Sequence, residues 1–321
     1  MSSGVQFPMR VTVAEPVSSS VRRLRLEPCD GAALPPYSAG SHTVLSFHSG
    51  KRLIRNPYSL LASTLAGGGA YEVAVLRSPQ SRGGSAFIHD HVAVGTELSA
   101  SAPINLFPLN RSARRHILVA GGIGITPMAA MAEELATSNG AFELHYAMRD
   151  EASGAIAREL ATRYGDRLRL YVSQRQERLA VSDILGGQPL GTHLYVCGPE
   201  RMIEGVLRDA LAAGWPASAL HAERFTAPDG GEPFAVRLAR SGKAMTGGAH
   251  QTLLEAIEAA GVDAPYLCRG GACGQCEIPV LSADGDLLHA DHYLTDSQKA
   301  CRQSIMTCVS RFRGRELVLD L

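Results

Sequence analysis

Cys268-Arg269-Gly270-Gly271-Ala272-Cys273-Gly274-Gln275-Cys276 reads C-x4-C-x2-C, and a further thiol follows at Cys308. Three cysteines on one loop with a distant fourth is the spacing of ligands to a 2Fe–2S cluster. Thiolates are soft ligands suited to iron–sulfur clusters, and four of them complete two tetrahedral irons. Gly270, Gly271 and Gly274 let such a loop wrap closely around inorganic sulfide. A structural zinc site is the plain alternative, but zinc sites usually show two C-x2-C-like pairs, and only Cys273 and Cys276 have that spacing. Cys308, in the strand-like stretch 304–310, is the expected fourth ligand. Cys301, in the polar and helical stretch 296–303, is its rival.

A chain of 321 residues is long enough for two or three domains. Its 45% hydrophobic and 19% charged residues are ordinary for a globular protein, and a formal net charge of zero gives no reason to expect nucleic acid or an anionic membrane as partner. The N-terminus has no charged region followed by an apolar core, and no apolar run approaches membrane-spanning length. Seven cysteines, three crowded on one loop, do not suggest a secreted disulfide framework, so a reducing cytoplasm is expected.

Upstream of the cysteines the chain changes character twice. Short strand-like alternations at 9–13, 21–26, 42–47, 52–54 and 71–76, separated by Gly, Pro and Ser, predict an antiparallel barrel of about six strands over residues 1–108. It contains Arg55-Asn56-Pro57-Tyr58-Ser59, in which an Arg can pair with phosphate and a Tyr–Ser pair can stack on and hydrogen-bond to a ring. It also contains Arg82-Gly83-Gly84-Ser85 before a helical start, a place for phosphate on backbone N–H groups. A strand tyrosine and a plain turn are the bland readings of these two motifs.

Residues 109–227 alternate strand and helix, with strands at 116–120, 141–147, 168–172 and 193–196 and helices at 128–137, 152–164 and 200–213. This predicts a parallel α/β sheet with ligand at the strand C-termini. Gly121-Gly122-Ile123-Gly124-Ile125-Thr126-Pro127 follows the first of these strands, and Cys197-Gly198-Pro199 follows the last. After the third of these strands, Ser173 and Arg175 could accommodate the extra phosphate of NADPH, since Arg suits a 2′-phosphate, though an exposed Arg is more often only solvated. The stretch 227–233 reads as a linker, and 228–321 carries a strand at 234–239, an amphipathic helix at 252–261 and the cysteines. His289 and His292 are expected on the surface, since four cysteines already complete a ligand set.

With these motifs together, the whole chain resembles the phthalate dioxygenase reductase family, in the order flavin, nucleotide, ferredoxin. The resemblance implies a multidomain protein with an antiparallel β-barrel flavin domain, an α/β nucleotide domain and a β-grasp ferredoxin domain. It implies FMN contacts from Arg55, Tyr58, Ser59, Ala74, Val75, Leu76, Arg82, Gly83, Gly84 and Ser85. Gly121, Gly122, Gly124, Thr126, Cys197, Gly198 and Pro199 would meet NADH or NADPH. Ser59, Thr126, Cys197 and Phe225 would flank hydride transfer, and Cys268, Cys273, Cys276 and Cys308 would hold the cluster. The function implied is a monomeric reductase component that passes electrons from NAD(P)H through FMN and a 2Fe–2S cluster to a Rieske-type terminal oxygenase in a transient complex. Arg269 would help the partner dock. Supply of a haem-thiolate monooxygenase, and a subunit of a larger flavin dehydrogenase, are the rival roles.

Overall fold

Short runs of alternating apolar residues, each too short to bury a core alone, are gathered into three sheets. The computed structural model describes residues 5–50, 52–62, 69–79, 81–154, 156–225 and 230–321. The first sheet is antiparallel. It holds β1 (Gln6–Pro16), β2 (Val21–Pro28), β3 (Ser41–Ser49), β4 (Arg52–Ser59), β5 (Tyr71–Leu76), β6 (Glu97–Ser101) and the short β7 (Ile104–Asn105), with α1 (Gly84–His91) before β6. Its order is β4-β3-β6-β1-β2-β5, with β7 on β3. The two ends meet at a Leu60–Val73 bridge and a Leu61 N–H to Glu72 carbonyl bond of 2.9 Å, so the sheet curls into a barrel. Inward positions two apart, such as Met9 and Val11 or Leu24 and Leu26, fill it.

The second sheet is wholly parallel. Its elements are β8 (Arg115–Gly121), α2 (Ile125–Thr137), β9 (Phe142–Met148), α3 (Ala157–Tyr164), β10 (Leu168–Val172), α4 (Val181–Leu185), β11 (Thr192–Cys197), α5 (Glu200–Ala212) and β12 (Leu220–Glu223), in the order β10-β9-β8-β11-β12. The direction of winding reverses between β8 and β11, where such sheets open a crevice for ligand. The helix expected from residue 152 begins only at Ala157. Asp150 accepts from the Ser153 N–H at 2.6 Å and Ser153 Oγ returns a bond to the Asp150 carbonyl at 3.0 Å, so a local turn takes the backbone groups a helix would need.

The third sheet packs around one helix. β13 (Phe234–Leu238), β14 (Ala244–Gly247), α6 (Leu253–Ala259), β15 (Glu277–Leu288), α7 (Asp296–Cys301), β16 (Ser304–Met306) and β17 (Arg311–Leu319) give the order β14-β13-β17-β15-β16, in which only β13 and β17 run parallel. A capping box of Thr252 and Glu255 starts α6. Of the expected linker, residues 227–229 lie outside the described residues.

The cores join unequally. Val21, Ala39, Leu61, Ala74 and Phe107 of the barrel belong to one buried apolar cluster with Ile125, Met128 and Tyr195 of the parallel sheet. The third sheet closes its own core of residues drawn only from 234–321. No helix among the described residues is long and apolar enough to cross a membrane.

Candidate functional site

All three sheets border one cavity of about 340 Å³. The barrel contributes β4, β5 and the turn before α1. Tyr58, Ser59, Ala74 and Leu76 line it, as do Arg82, Gly84 and Ser85, so most of the residues expected around a flavin come together here. Burial pushes the Tyr58 phenol up to about 12, which keeps it neutral as a stacking and hydrogen-bonding group. Gly83 takes φ 107 at the start of α1, a backbone only glycine adopts readily, and a Cβ on Gly84 would lie 2.2 Å from Asn56 Nδ2. An apolar wall, a neutral phenol and a hydroxyl, ending at two arginines and a helix N-terminus, fit a flavin and its phosphate. Val75 is buried in β5 behind this wall, where its carbonyl lies 2.9 Å from His89 Nε2.

Arg55 departs from its expected place. Alternate residues of a strand face opposite ways, and Pro57 lengthens the motif by one, so Asn56 shares the face of Tyr58. Asn56 Nδ2 lies 3.5 Å from Tyr58 Oη and lines the cavity, whereas Arg55 pairs with Glu258 of α6 at 3.0 Å. Arg52, which carried no motif, lines the cavity in its stead and donates to the Arg82 carbonyl at 2.8 Å.

The parallel sheet supplies the opposite wall. Ile123 and Thr126 reach the cavity from the turn after β8, with Thr126 Oγ1 donating to the Ile123 carbonyl at 3.0 Å. Gly121, Gly122 and Gly124 form that turn, and it sits directly on Cys197-Gly198-Pro199 after β11. A Cβ on Gly124 would stand 2.3 Å from the Cys197 carbonyl oxygen, and one on Gly121 2.7 Å from Pro199 Cδ. Burial, then the Glu223 charge, pushes the Cys197 thiol well up, which leaves it an unreactive wall. Glu223, paired in register with Cys197, and Phe225, 47% exposed, both line the cavity. Burial pushes the Glu223 carboxyl up to about 8, and its Oε2 meets no donor. Ser173 and Arg175 form a turn after β10 away from this cavity, and Arg175 is taken up by Glu151 at 2.5 Å.

From the third sheet come Cys268, Arg269, Gly270, Ala272 and Cys308. Cys268, Cys276 and Cys308 are buried and Cys273 is half-buried, whereas Cys301 is exposed on α7. Hydrogen bonds from the Cys273 and Cys308 thiols, with the backbone N–H groups of Ala272 and Gly270, draw the Cys268 thiol well below its usual range. Cys308 draws Cys276 down in the same way, while sharing protons with these thiolates pushes Cys273 and Cys308 up. Four converging thiols ringed by backbone donors form a donor set that fits an iron–sulfur cluster. Left-handed Gly271 and Gly274 bring the loop against Val309, Asp291 and Tyr293, where a side chain would collide.

Two expectations at the loop change. Arg269 is 6% exposed, stacks over the Tyr266 ring at 3.9 Å and pairs with Glu258, so it faces inward rather than toward a partner. His289 is largely covered beside Asp291, and only His292 is exposed. No motif pointed to His42, a buried neighbour of Ser59 in the β3–β4 register that lines the same cavity as Cys268.

A flavin-type barrel, a nucleotide sheet and a four-thiol unit on one cavity define an iron–sulfur flavoprotein oxidoreductase. Residues 99–220 match the N-terminal domain of dimethylamine monooxygenase subunit DmmA-like proteins, and 236–313 match the 2Fe-2S iron-sulfur cluster binding domain. The chain is 44% identical to the heme-dependent oxidative N-demethylase beta subunit of Ectopseudomonas mendocina, with 98% of each chain covered. It is 40% identical to the carnitine monooxygenase reductase subunit of Escherichia coli over the full length of both. The solved structure of phthalate dioxygenase reductase superposes with a TM-score of 0.88 at 32% identity, covering 98% of each chain. An intact self-sufficient cytochrome P450 monooxygenase carries a similar unit, with TM-score 0.71, 35% identity, and 99% of this chain matched to 41% of that one. The chain belongs to the phthalate dioxygenase reductase family of oxygenase reductase components.

Proposed function

We propose that this chain takes reducing equivalents from NADH or NADPH onto FMN and releases them singly, through a 2Fe–2S cluster, to a separate terminal oxygenase. The carrying observation is that Cys268 and Cys308 share a cavity with Tyr58, Ser59 and Thr126, so a flavin seated there has nucleotide on one side and cluster on the other. Flavin supplies the exchange between a two-electron hydride donor and a one-electron acceptor. The chain's own residues position: Tyr58 and Ser59 hold the ring, while Arg52, Arg82 and the N-terminus of α1 hold the phosphate. Thr126 and the Cys197 turn seat the nicotinamide, and Phe225 covers the ring in its absence. Cys268, Cys273, Cys276 and Cys308 bind the cluster.

The partner is read as a Rieske-type oxygenase. A haem-dependent oxygenase is the second reading, favoured by the 44% identity to a subunit named for a heme-dependent N-demethylase. Dimethylamine, N-demethylation and carnitine recur in the matched names, which supports an alkylated amine as the partner's substrate. Leu267 and Tyr293, 43% and 49% exposed beside the cysteine loop and outside the cavity, suit the landing surface for that partner. Cys273→Ser should remove the cluster's visible spectrum and cytochrome c reduction while NADH-driven ferricyanide reduction by the flavin persists. Equal loss of both activities would overturn the order of carriers.

A further inference from the structure

The cluster-bearing unit is attached to the barrel by charge. α6 presents two carboxylates one turn apart, and both are taken by arginines of the barrel. Glu255 Oε2 receives Arg52 Nη2 at 3.3 Å and Arg82 Nη1 at 3.0 Å, and both guanidiniums also donate to the His250 carbonyl, at 2.9 and 3.1 Å. Glu258 is shared differently. Its Oε2 meets Arg55 Nη1 of β4 at 3.0 Å, and its Oε1 meets Arg269 Nη2 of the cysteine loop.

We infer that Glu258 is a positioning residue for electron transfer between the flavin and the cluster, because one carboxylate ties the strand bearing Tyr58 and Ser59 to the loop bearing Cys268. The inference rests on the carrier order given under Proposed function. Arg55 lies three residues before Tyr58, and Arg269 follows Cys268 directly. Arg269 is held for this purpose: it has the left-handed φ of 52 rare for a side-chain-bearing residue, stacks on Tyr266, and is 96% covered on its side chain with Nε unpartnered. Removing the Glu258 charge therefore leaves a buried guanidinium without its anion, the costly way to break a buried pair. The other two sheets share an apolar core, whereas the third has its own, so these ionic contacts carry much of the attachment. The step served moves one electron from reduced flavin to oxidised cluster and breaks no bond.

The test is Glu258→Gln in the full chain. Stopped-flow bleaching of the flavin by NADH should keep its rate, while the following cluster reduction slows. Small-angle scattering of the oxidised protein, with no turnover, should show the chain opening at lower salt, as a docking constant weakened roughly tenfold requires. Glu258→Asp should recover part of both. Should Glu258→Gln not fold, Arg55→Gln cuts the same contact from the barrel side and should give the same salt-induced opening. Cluster reduction and salt response matching the parent would overturn the inference. A parent protein without flavin and iron–sulfur absorbance would instead overturn the functional reading, and the two failures are separate.

Discussion

Glu223 is a carboxyl at the end of β12 with one oxygen that no donor reaches. Burial pushes it up to about 8 from an ordinary 4.5, so across that interval the folded chain keeps a proton that the unfolded chain releases. The stability this group contributes is full below the lower value and is lost as pH rises through the upper one. Glu223→Gln should flatten the fall in unfolding free energy between pH 5 and 8 by up to about 1.4 kcal/mol per pH unit, the limit for one proton. Urea titrations of the apoprotein across that range provide the check, and an unaltered slope would mean the carboxyl is ionised in the fold. Burial at the same scale favours Cys308 over Cys301 as the expected fourth ligand: Cys308 is buried beside Cys268 and Cys276, and Cys301 ends a helix in solvent.

At the scale of elements, the two glycine-bearing turns that face each other across β8 and β11 leave no room for a methyl group. Gly124→Ala should destabilise the chain by about 1–3 kcal/mol, the usual cost of overpacking, and raise the KM for NADH by opening the crevice. Thermal unfolding with steady-state kinetics would measure both, and a variant with parental Tm and KM would refute the contact. What the sequence disclosed was whatever its spacing determines locally. The cysteine loop, the Gly-Gly-Ser turn and the alternation of strands and helices each carry their meaning within a few residues. Arg55 was misread because strand parity turned it away from Tyr58, and Arg269 because its partners, Tyr266 and Glu258, are supplied by folding. Arg52 and His42 sit in no motif, so only the closing of the barrel onto the third sheet reveals them.

In the whole molecule, the cysteine loop has an inner side on the cavity and an outer side open to solvent. Tyr293 packs its ring against Gly274 on the outer side, with Leu267 also exposed there. Tyr293→Glu should raise the concentration of terminal oxygenase needed for half-maximal transfer several-fold, as an unpaired charge in a contact surface does, with the rate of internal cluster reduction unchanged. Coupled assays at varied oxygenase concentration distinguish this from damage to the cluster, which would lower both.

Glu255 accepts three donors at a single oxygen: the Thr252 N–H that begins its own helix, and two guanidiniums that belong to another part of the chain. Grafting the cysteine-bearing unit onto a foreign reductase would therefore sever more than an attachment. Without counterparts to Arg52 and Arg82 the transplanted helix starts on a carboxylate stripped of its counter-ions. A working chimera would have to inherit both arginines, so in this chain the portable unit is the segment 234–321 together with the small patch of barrel that bears Arg52 and Arg82.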